Sequence, residues 1–475
     1  MIALCGSTAT AIADPETPAS EASETPAAPE TEVPITAADV AAAPPPGAEH
    51  GRLDPLDRGD GIARRIGRGL LWIPRLPFEI IAQPIRGTLY LQDRYDIVGK
   101  LTGVFFTTDR KAGVFPTALF ETGFGLNVGA RAMFKDIFGG QEKLKMRVGF
   151  GGQFQRVAKI ELDTGNLLPG PVTAGVEARY ELRNRDHFYG YGNGDLEMAT
   201  LPIDPLVDDT AVSTRFGMRV LRVASHLRIE LPSNLAVTLT GAVAKKTYKT
   251  SDYLGRSDTP LEEAYDVERI PGFRDGTKFL YTEAELAWGT RRAASFYDPP
   301  GMRGAGNLVL VYAGRQHGFD EEAKFFRGGA ELQHYIRLAR GPRVLELRAY
   351  GELVTGSRDE VPFTELPRLG GRKVLRGYEV DRFRDRVATV AQAAYMWGLS
   401  YDVAASIFVD AGRVHSSLET ISTADLRVGY GVALEIYSSQ GMLVRTELAS
   451  SIDGGLFAYI AFDPAFDTRS RVERY

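Results

Sequence analysis

Apolar and polar residues alternate with a period of two through most of the chain between residues 101 and 466. Within 345–353, the odd positions hold Leu, Ala or Gly, and the even positions hold Glu, Arg or Tyr. The same scheme recurs at 279–288, 329–336, 426–435 and 444–448. Successive side chains of a strand point to opposite faces of a sheet, so this pattern predicts β-strands with one apolar and one polar face.

The polar faces of these predicted strands carry charges of both signs, among them Glu283, Arg348, Arg445 and Glu447. A water-filled barrel lumen accepts such a face, and in hydrocarbon the sheet must close so that every backbone amide has a partner. No run of about 18 apolar residues is present, which excludes a membrane-spanning helix. At about 10 residues per strand plus connections, residues 96–466 predict an all-β fold, a closed antiparallel transmembrane β-barrel of roughly 16 strands.

Composition fits a large β-protein, but by itself it does not separate a membrane barrel from a soluble sheet protein. The 475 residues include 51 glycines, 20 tyrosines and 24 phenylalanines, which suit tight turns and aromatic girdles. The formal net charge of −5 gives no reason to expect a nucleic-acid partner. Cys5 is the only cysteine, so the mature chain is expected to contain no disulfide, which is compatible with an envelope protein.

Two segments precede the predicted extension and barrel. Residues 1–13 are small and apolar and end in Ala11-Ile12-Ala13, which is typical of a signal-peptide cleavage site. This segment lacks a positive start and is shorter than a full signal peptide, so we interpret it as a remnant and expect the natural start further upstream. Residues 14–49 consist mainly of Ala, Pro, Glu, Thr and Ser, without Lys, Arg or an aromatic residue, which predicts a disordered tether.

Residues 50–95 predict a short amphipathic helical extension. Arg64, Arg65 and Arg68 interleave with apolar residues that include Trp72. A basic amphipathic helix with a tryptophan is suited to lie at a membrane surface. The alternative is a helix that packs on, or plugs, the periplasmic mouth of the barrel and is broken near its prolines.

The chain carries no linear signature of an enzyme. Its six histidines are scattered, with no pair at the spacing of metal ligands. The nucleophile elbow G-x-S-x-G, a phosphate-binding loop and the zinc motif H-E-x-x-H are all missing. We therefore expect no catalytic residue, no metal and no other cofactor.

Four motifs occur in an order that resembles one known family. Leu375-Arg376-Gly377-Tyr378 lies in a Gly-rich stretch, and Phe408-Val409-Asp410-Ala411-Gly412 follows on a later predicted strand. Upstream stands Phe188-Tyr189-Gly190-Tyr191-Gly192-Asn193, and an aromatic last strand covers 456–466. Together these motifs resemble the BamA/TamA-type outer-membrane assembly barrels, the bacterial surface antigen family, over most of the chain.

The resemblance implies a specific contact inside the barrel. In this family the tetrad belongs to the long sixth extracellular loop, and its arginine meets the strand aspartate in the lumen, which implies a contact between Arg376 and Asp410. A guanidinium can bind a carboxylate bidentately, which defines both direction and distance. Gly377 would allow the turn, and Tyr378 would pack in the lumen. Without the flanking motifs, the same two charges would be interpreted as ordinary solvated lumen residues.

The resemblance further implies a protein of the Gram-negative outer membrane that takes part in assembly, insertion or translocation of polypeptides or lipids. Its expected partners are outer-membrane lipid and, in that role, client polypeptides or periplasmic chaperone or receptor proteins. Residues 14–95 leave no room for the periplasmic receptor domains of assembly members, so the chain resembles a short branch of the family. The alternative function is a passive or gated pore, or a surface antigen, without client translocation. Residues 467–475 are expected to form a polar tail or the end of the last strand.

Overall fold

The computed structural model describes residues 104–461, except for 106, 110, 122–124, 152–154, 198–201, 208–209, 252–257, 292–303, 320–323, 339–342, 400–402 and 439–440. Within these residues the strands are β1 (Ala112–Glu121), β2 (Gly125–Lys135), β3 (Lys143–Gly151), β4 (Gln155–Asp163), β5 (Val172–Phe188), β6 (Thr214–Leu231), β7 (Leu235–Thr250), β8 (Thr259–Pro260), β9 (Thr277–Gly289), β10 (Gly306–Gly318), β11 (Phe325–Arg337), β12 (Arg343–Val354), β13 (Arg368–Leu369), β14 (Phe383–Arg384), β15 (Val387–Gly398), β16 (Val403–His415), β17 (Arg427–Ser438), β18 (Gly441–Ser451) and β19 (Phe457–Ala461). Its short helices are Leu261–Ala264, Val267–Arg269 and Leu418–Thr420. No helix in the described part of the chain is long and apolar enough to cross a bilayer.

The long strands form one antiparallel sheet whose pairings run in a ring. The sheet has 17 strands in the described residues, and all but the two-residue β8 pair with the preceding and following long strand. The ring is completed where β19 pairs with β1, at Phe120↔Ile460 and Glu121↔Tyr459. β8 adds a short parallel pairing to β6. The prediction of a closed antiparallel barrel of roughly 16 long strands is therefore confirmed.

The two faces of the sheet have the reverse polarity of a soluble protein. Glu331 and Arg348 point into the lumen and are buried, with 3% and 6% of their surface exposed. Large apolar side chains at alternate positions point outward and are exposed, for example Leu221 at 55% and Leu332 at 48%. Apolar residues are stable at such positions when lipid rather than water covers them. This arrangement matches a barrel that has lipid outside and polar groups within.

The connections differ in length at the two ends of the barrel. The three longest are 189–213, 251–276 and 355–386, and they lie with 416–426 at one end, called the long-loop end below, whereas the opposite end has one long connection, 290–305. Described residues of the first three pack with the adjoining strand ends around one buried apolar cluster. This cluster, called the loop cap below, contains Phe188, Tyr191, Ile203, Val212, Phe216, Met218, Val220, Leu261, Ala264, Tyr265, Val267, Ile270, Phe273, Phe325, Val354, Val361, Phe363 and Leu366.

Several predicted segments lie outside the described residues. These are the signal-peptide remnant (1–13), the tether (14–49), the helical extension (50–95) and the C-terminal segment (467–475). The extension includes the predicted membrane-surface residues Arg64, Arg65, Arg68 and Trp72. All of these remain predictions.

Candidate functional site

The site is built by the connection 355–386, which runs from the end of β12 through the lumen to the start of β15. Its two short strands, β13 and β14, pair as a hairpin that places Leu369 opposite Phe383. The tetrad 375–378 lies in the turn of this hairpin. On one side of the lumen, Glu365 binds Lys246 of β7, and on the other side Arg376 binds Asp410 of β16. We call this connection the lumen loop.

Arg376 and Asp410 form a bidentate ion pair with a third hydrogen bond. The Nε atom of Arg376 donates to Oδ2 of Asp410 at 2.8 Å, and Nη2 donates to Oδ1 at 2.6 Å. The backbone N–H of Arg376 also donates to Oδ2, at 2.9 Å. Both residues are buried, at 1% and 0% exposure. This carboxylate therefore orients the loop backbone as well as the side chain.

A second carboxylate, Glu447 of β18, completes the site and was not predicted as part of it. Its Oε1 accepts from Nη1 of Arg376 at 3.3 Å and from Nε of Arg445 at 2.7 Å. The guanidinium of Arg376 also lies over the ring of Phe408, 3.5 Å from its centroid. The alternation of 444–448 places Glu447 on a polar face, but the sequence does not say which lumen cation it meets.

The charge of Arg376 is stabilised by these neighbours despite its burial. Removal from water lowers the pKa of the guanidinium, whereas Asp410 and then Glu447 raise it. The net effect raises the pKa of Arg376 above its ordinary value. Arg376 thus stays protonated within the lumen loop, and the two carboxylates serve as its counter-ions.

Two glycines allow the lumen loop to lie directly against the barrel wall. Gly377 adopts a φ of +88°, and a Cβ there would lie 2.1 Å from the carbonyl oxygen of Ser450. On the facing strand, a Cβ at Gly429 would lie 1.6 Å from the carbonyl oxygen of Arg376. Larger residues at either position would separate the loop from β17 and β18. The glycine of the tetrad therefore has a steric reason as well as a conformational one.

The apolar members of the motifs pack around the ion pair. Leu375 is fully buried in a cluster with Leu369 and Phe383, and a Cβ at Gly412 would lie 3.1 Å from Cδ1 of Leu369. The ring of Tyr378 lies 5.2 Å from that of Phe383. The hydroxyl groups of Tyr378 and Tyr459 make long hydrogen bonds that tie the loop to the last strands, to the carbonyl oxygens of Val428 and Tyr378 respectively, both at 3.4 Å. The tetrad thus touches β16, β17, β18 and β19.

The upstream aromatic segment 188–193 meets the lumen loop and β16. The side-chain amide of Asn193 donates to the carbonyl oxygen of Val414 at 2.8 Å, and its Oδ1 accepts from the N–H of Val414 at 3.1 Å. Gly192 donates through its N–H to the carbonyl oxygen of Arg384 at 2.9 Å. Three motifs that are distant in sequence therefore converge at the long-loop half of the lumen.

Charged residues outside the motifs anchor the other side of the lumen loop. Lys246 of β7 binds Glu365, and Arg327 of β11 donates to the carbonyl oxygen of Glu365 at 2.5 Å. Arg327 also binds Glu352 of β12. All of these groups are buried. Each charged side chain contacts one of opposite sign, because an unpaired charge would be costly in such a site. Within the described residues, no group of three or more His, Cys, Asp and Glu side chains is placed to hold a metal ion.

The family to which the chain belongs follows from comparison with known proteins. The model of the Omp85 superfamily domain matches residues 136–449. This chain belongs to the Omp85 superfamily. The matched region includes both the tetrad and the Asp410 motif, so the resemblance drawn from the motifs is confirmed. No curated protein sequence matches the chain.

Solved structures resemble the barrel at low sequence identity. BamA from Haemophilus ducreyi lacking POTRA domains 1–3 matches with a TM-score of 0.52 and 13% identity, covering 74% of this chain and 70% of that one. CdiB from Acinetobacter baumannii matches with a TM-score of 0.47 and 11% identity, covering 74% of this chain and 59% of that one. The likeness to the BamA structure supports the fold.

Proposed function

We propose that this Omp85 barrel resides in the outer membrane of a Gram-negative cell and assists the insertion or translocation of polypeptides or lipids there. In this proposal the working element is the seam where β19 meets β1. The observation that carries the proposal is the attachment of the lumen loop to β16, β17, β18 and β19, the strands on one side of that seam.

The attachment holds one side of the seam as a unit. Arg376 joins Asp410 of β16 to Glu447 of β18, and Glu447 lies directly opposite Tyr459 of β19. The tetrad backbone lies against Gly429 of β17. Opening at the seam would therefore leave the C-terminal strands in place and require movement mainly of β1 and the strands after it. A client polypeptide could then pair with the exposed edge strand, or a client could move through the gap between β1 and β19.

The same loop bears on the alternative function, a passive pore. The lumen loop crosses the barrel from Glu365, which binds Lys246 of β7, to Arg376, which binds Asp410 of β16, and both of these ion pairs are buried. A segment anchored across the channel obstructs the free diffusion of solutes. This favours handling of a client at the seam over free solute passage.

Locking the seam tests the proposal. Phe120→Cys with Ile460→Cys places two thiols at directly paired positions of β1 and β19, in a chain whose only other cysteine is Cys5. We expect cells that depend on this variant to lose a subset of outer-membrane or surface proteins under oxidising conditions and to recover them after reduction. Quantitative proteomics of the outer membrane is the measurement.

A matched lock away from the seam is the control. Val309→Cys with Leu332→Cys joins β10 and β11 at paired positions and should leave the outer-membrane proteome unchanged. A normal proteome with the seam locked would contradict the proposal. An unchanged proteome with altered solute permeability on depletion would support a pore instead.

A further inference from the structure

Positively charged side chains gather on the outer surface of the barrel near the long-loop end. Arg219 on β6, Lys245 on β7, Lys278 on β9 and Arg315 on β10 all occupy exposed positions that alternate with buried lumen residues. We call these four residues the cationic band. They do not contribute to the lumen site described above.

The strand register brings members of the band together. Lys245 and Lys278 are directly opposite each other across β7 and β9. Arg219 is opposite Thr247, one outward position from Lys245. Like charges at directly opposed positions of a sheet destabilise each other. An anion bound between the side chains of Lys245 and Lys278 would be attracted to both of them.

The band borders the apolar outer surface. The next outward positions towards the middle of the barrel after Arg219, Lys245 and Lys278 are Leu221, Val243 and Leu280, which are 55%, 47% and 38% exposed. Cations that border such a surface lie where the hydrocarbon of a bilayer gives way to its headgroups. The position suits contact with lipid phosphates rather than with bulk water.

The cations of the band lie at one level on neighbouring strands, and Arg156 of β4 lies at the same level as Arg219, with Leu182 of β5 between them. The outward positions of β6, β7, β9 and β10 contain no Asp or Glu, and at the opposite end they carry apolar residues such as Leu231, Leu235 and Trp288. The outward positions of β15 and β17 contain no Lys or Arg, and Arg413 of β16 between them is paired with Asp425. Charges that served only solubility would be of mixed sign and more evenly spread.

We propose that the cationic band binds the phosphate groups of anionic lipids in the leaflet that meets the long-loop end. The inference rests on the proposed location of this barrel in a membrane. Ammonium and guanidinium groups bind phosphate through charge-assisted hydrogen bonds, and several of them on adjacent strands can engage one headgroup that carries two phosphates.

The test uses the purified full chain in phosphatidylcholine nanodiscs that contain diphosphoryl lipid A. Lipid A retained per barrel is measured by native mass spectrometry. Each cation near an anionic surface contributes roughly a fivefold change in binding, so Lys245→Gln with Lys278→Gln should weaken retention by about tenfold or more. The control Lys245→Arg with Lys278→Arg keeps the charge and should retain the lipid as wild type does.

Three outcomes would overturn the inference. These are equal retention by wild type and the glutamine double variant, equal binding of lipid A without its phosphates, and full competition by millimolar inorganic phosphate, which would indicate a site for the free ion. Heat-modifiable electrophoretic mobility of the chain reconstituted in plain phosphatidylcholine nanodiscs shows whether the barrel has inserted. It therefore distinguishes a failure of this inference from a failure of the proposed function. A chain that never inserts contradicts the membrane role, whereas an inserted barrel without lipid preference contradicts the cationic band alone.

Discussion

At the scale of single residues, the central feature is one buried cation shared by two buried carboxylates. Removing Arg376 would leave Asp410 and Glu447 in a dehydrated site, with Glu447 still held by Arg445 and Asp410 holding only a backbone N–H. The larger free-energy cost comes from the uncompensated charge of Asp410. Breaking such a buried pair costs about 3–5 kcal/mol, far more than a surface pair.

Arg376→Ala is therefore expected to release the lumen loop while the barrel remains inserted. The docked state of residues 355–386 should lose about 3–5 kcal/mol, because a buried carboxylate loses its counter-ion. Limited proteolysis with mass spectrometry should then find new cleavage within this loop. Arg413→Ala is the control, since it removes a pair whose Asp425 is 88% exposed and which is worth less than about 1 kcal/mol. Equal loop protection in both variants would refute the expectation.

Glu447 changes what a charge swap should do. The motif pair alone leads to the expectation that Arg376→Asp with Asp410→Arg restores part of the function. In the structure, a carboxylate at position 376 would face Glu447, which now accepts from Arg376 at 3.3 Å. We therefore expect little restoration of loop protection from the swap alone and more when Glu447→Gln is added. Full restoration by the double swap would show that Glu447 does not matter.

At the scale of elements, the loop cap depends on one phenylalanine. The ring of Phe363 in the lumen loop lies 4.9–6.0 Å from four other aromatic rings, and its side chain is fully buried. These rings belong to Phe188, Phe216, Tyr248 and Phe273. Phe363 thus joins the lumen loop to β5, β6, β7 and the connection 251–276.

Phe363→Ala should loosen the loop cap without opening the barrel. Truncating a buried phenylalanine costs about 3–5 kcal/mol through lost burial and the cavity that remains. Hydrogen exchange of the amides in 258–276 and 355–367 should accelerate, while exchange in the barrel strands should not. Phe326→Ala removes the same atoms from an outward side chain that is 56% exposed, and it should leave the cap unchanged. Equal exchange in the two variants would argue against the central role of Phe363.

At the scale of the whole molecule, the lumen loop lies across the interior of the barrel. Its buried ion pairs to β7 and β16 hold it across the interior instead of above the barrel mouth. Replacing 357–384 by a short Gly-Ser linker should therefore raise the conductance of the barrel in planar bilayers several-fold. The same linker in place of 417–425, where most residues are exposed, should change the conductance little. Similar conductance for both replacements would mean that the loop does not obstruct the lumen.

The sequence alone determined the features that depend on neighbours in the chain. The alternation at 345–353 predicted strands and their faces, because side-chain direction in a strand depends only on position parity. The length of the alternating region, at about 10 residues per strand plus connections, predicted the strand number of the barrel, and the motifs around Arg376 and Asp410 indicated the family. These signals are local, so no tertiary information was needed.

Only the tertiary structure decided which distant residues meet. Glu447 joins Arg376 because the register of β16, β17 and β18 sets their heights in the lumen. Phe363 becomes the centre of the loop cap because three connections fold over one end of the barrel. Lys245 and Lys278 form part of a band because β7 and β9 pair at those residues. Register and closure arise from cooperative pairing around the whole ring, which no single segment of sequence encodes.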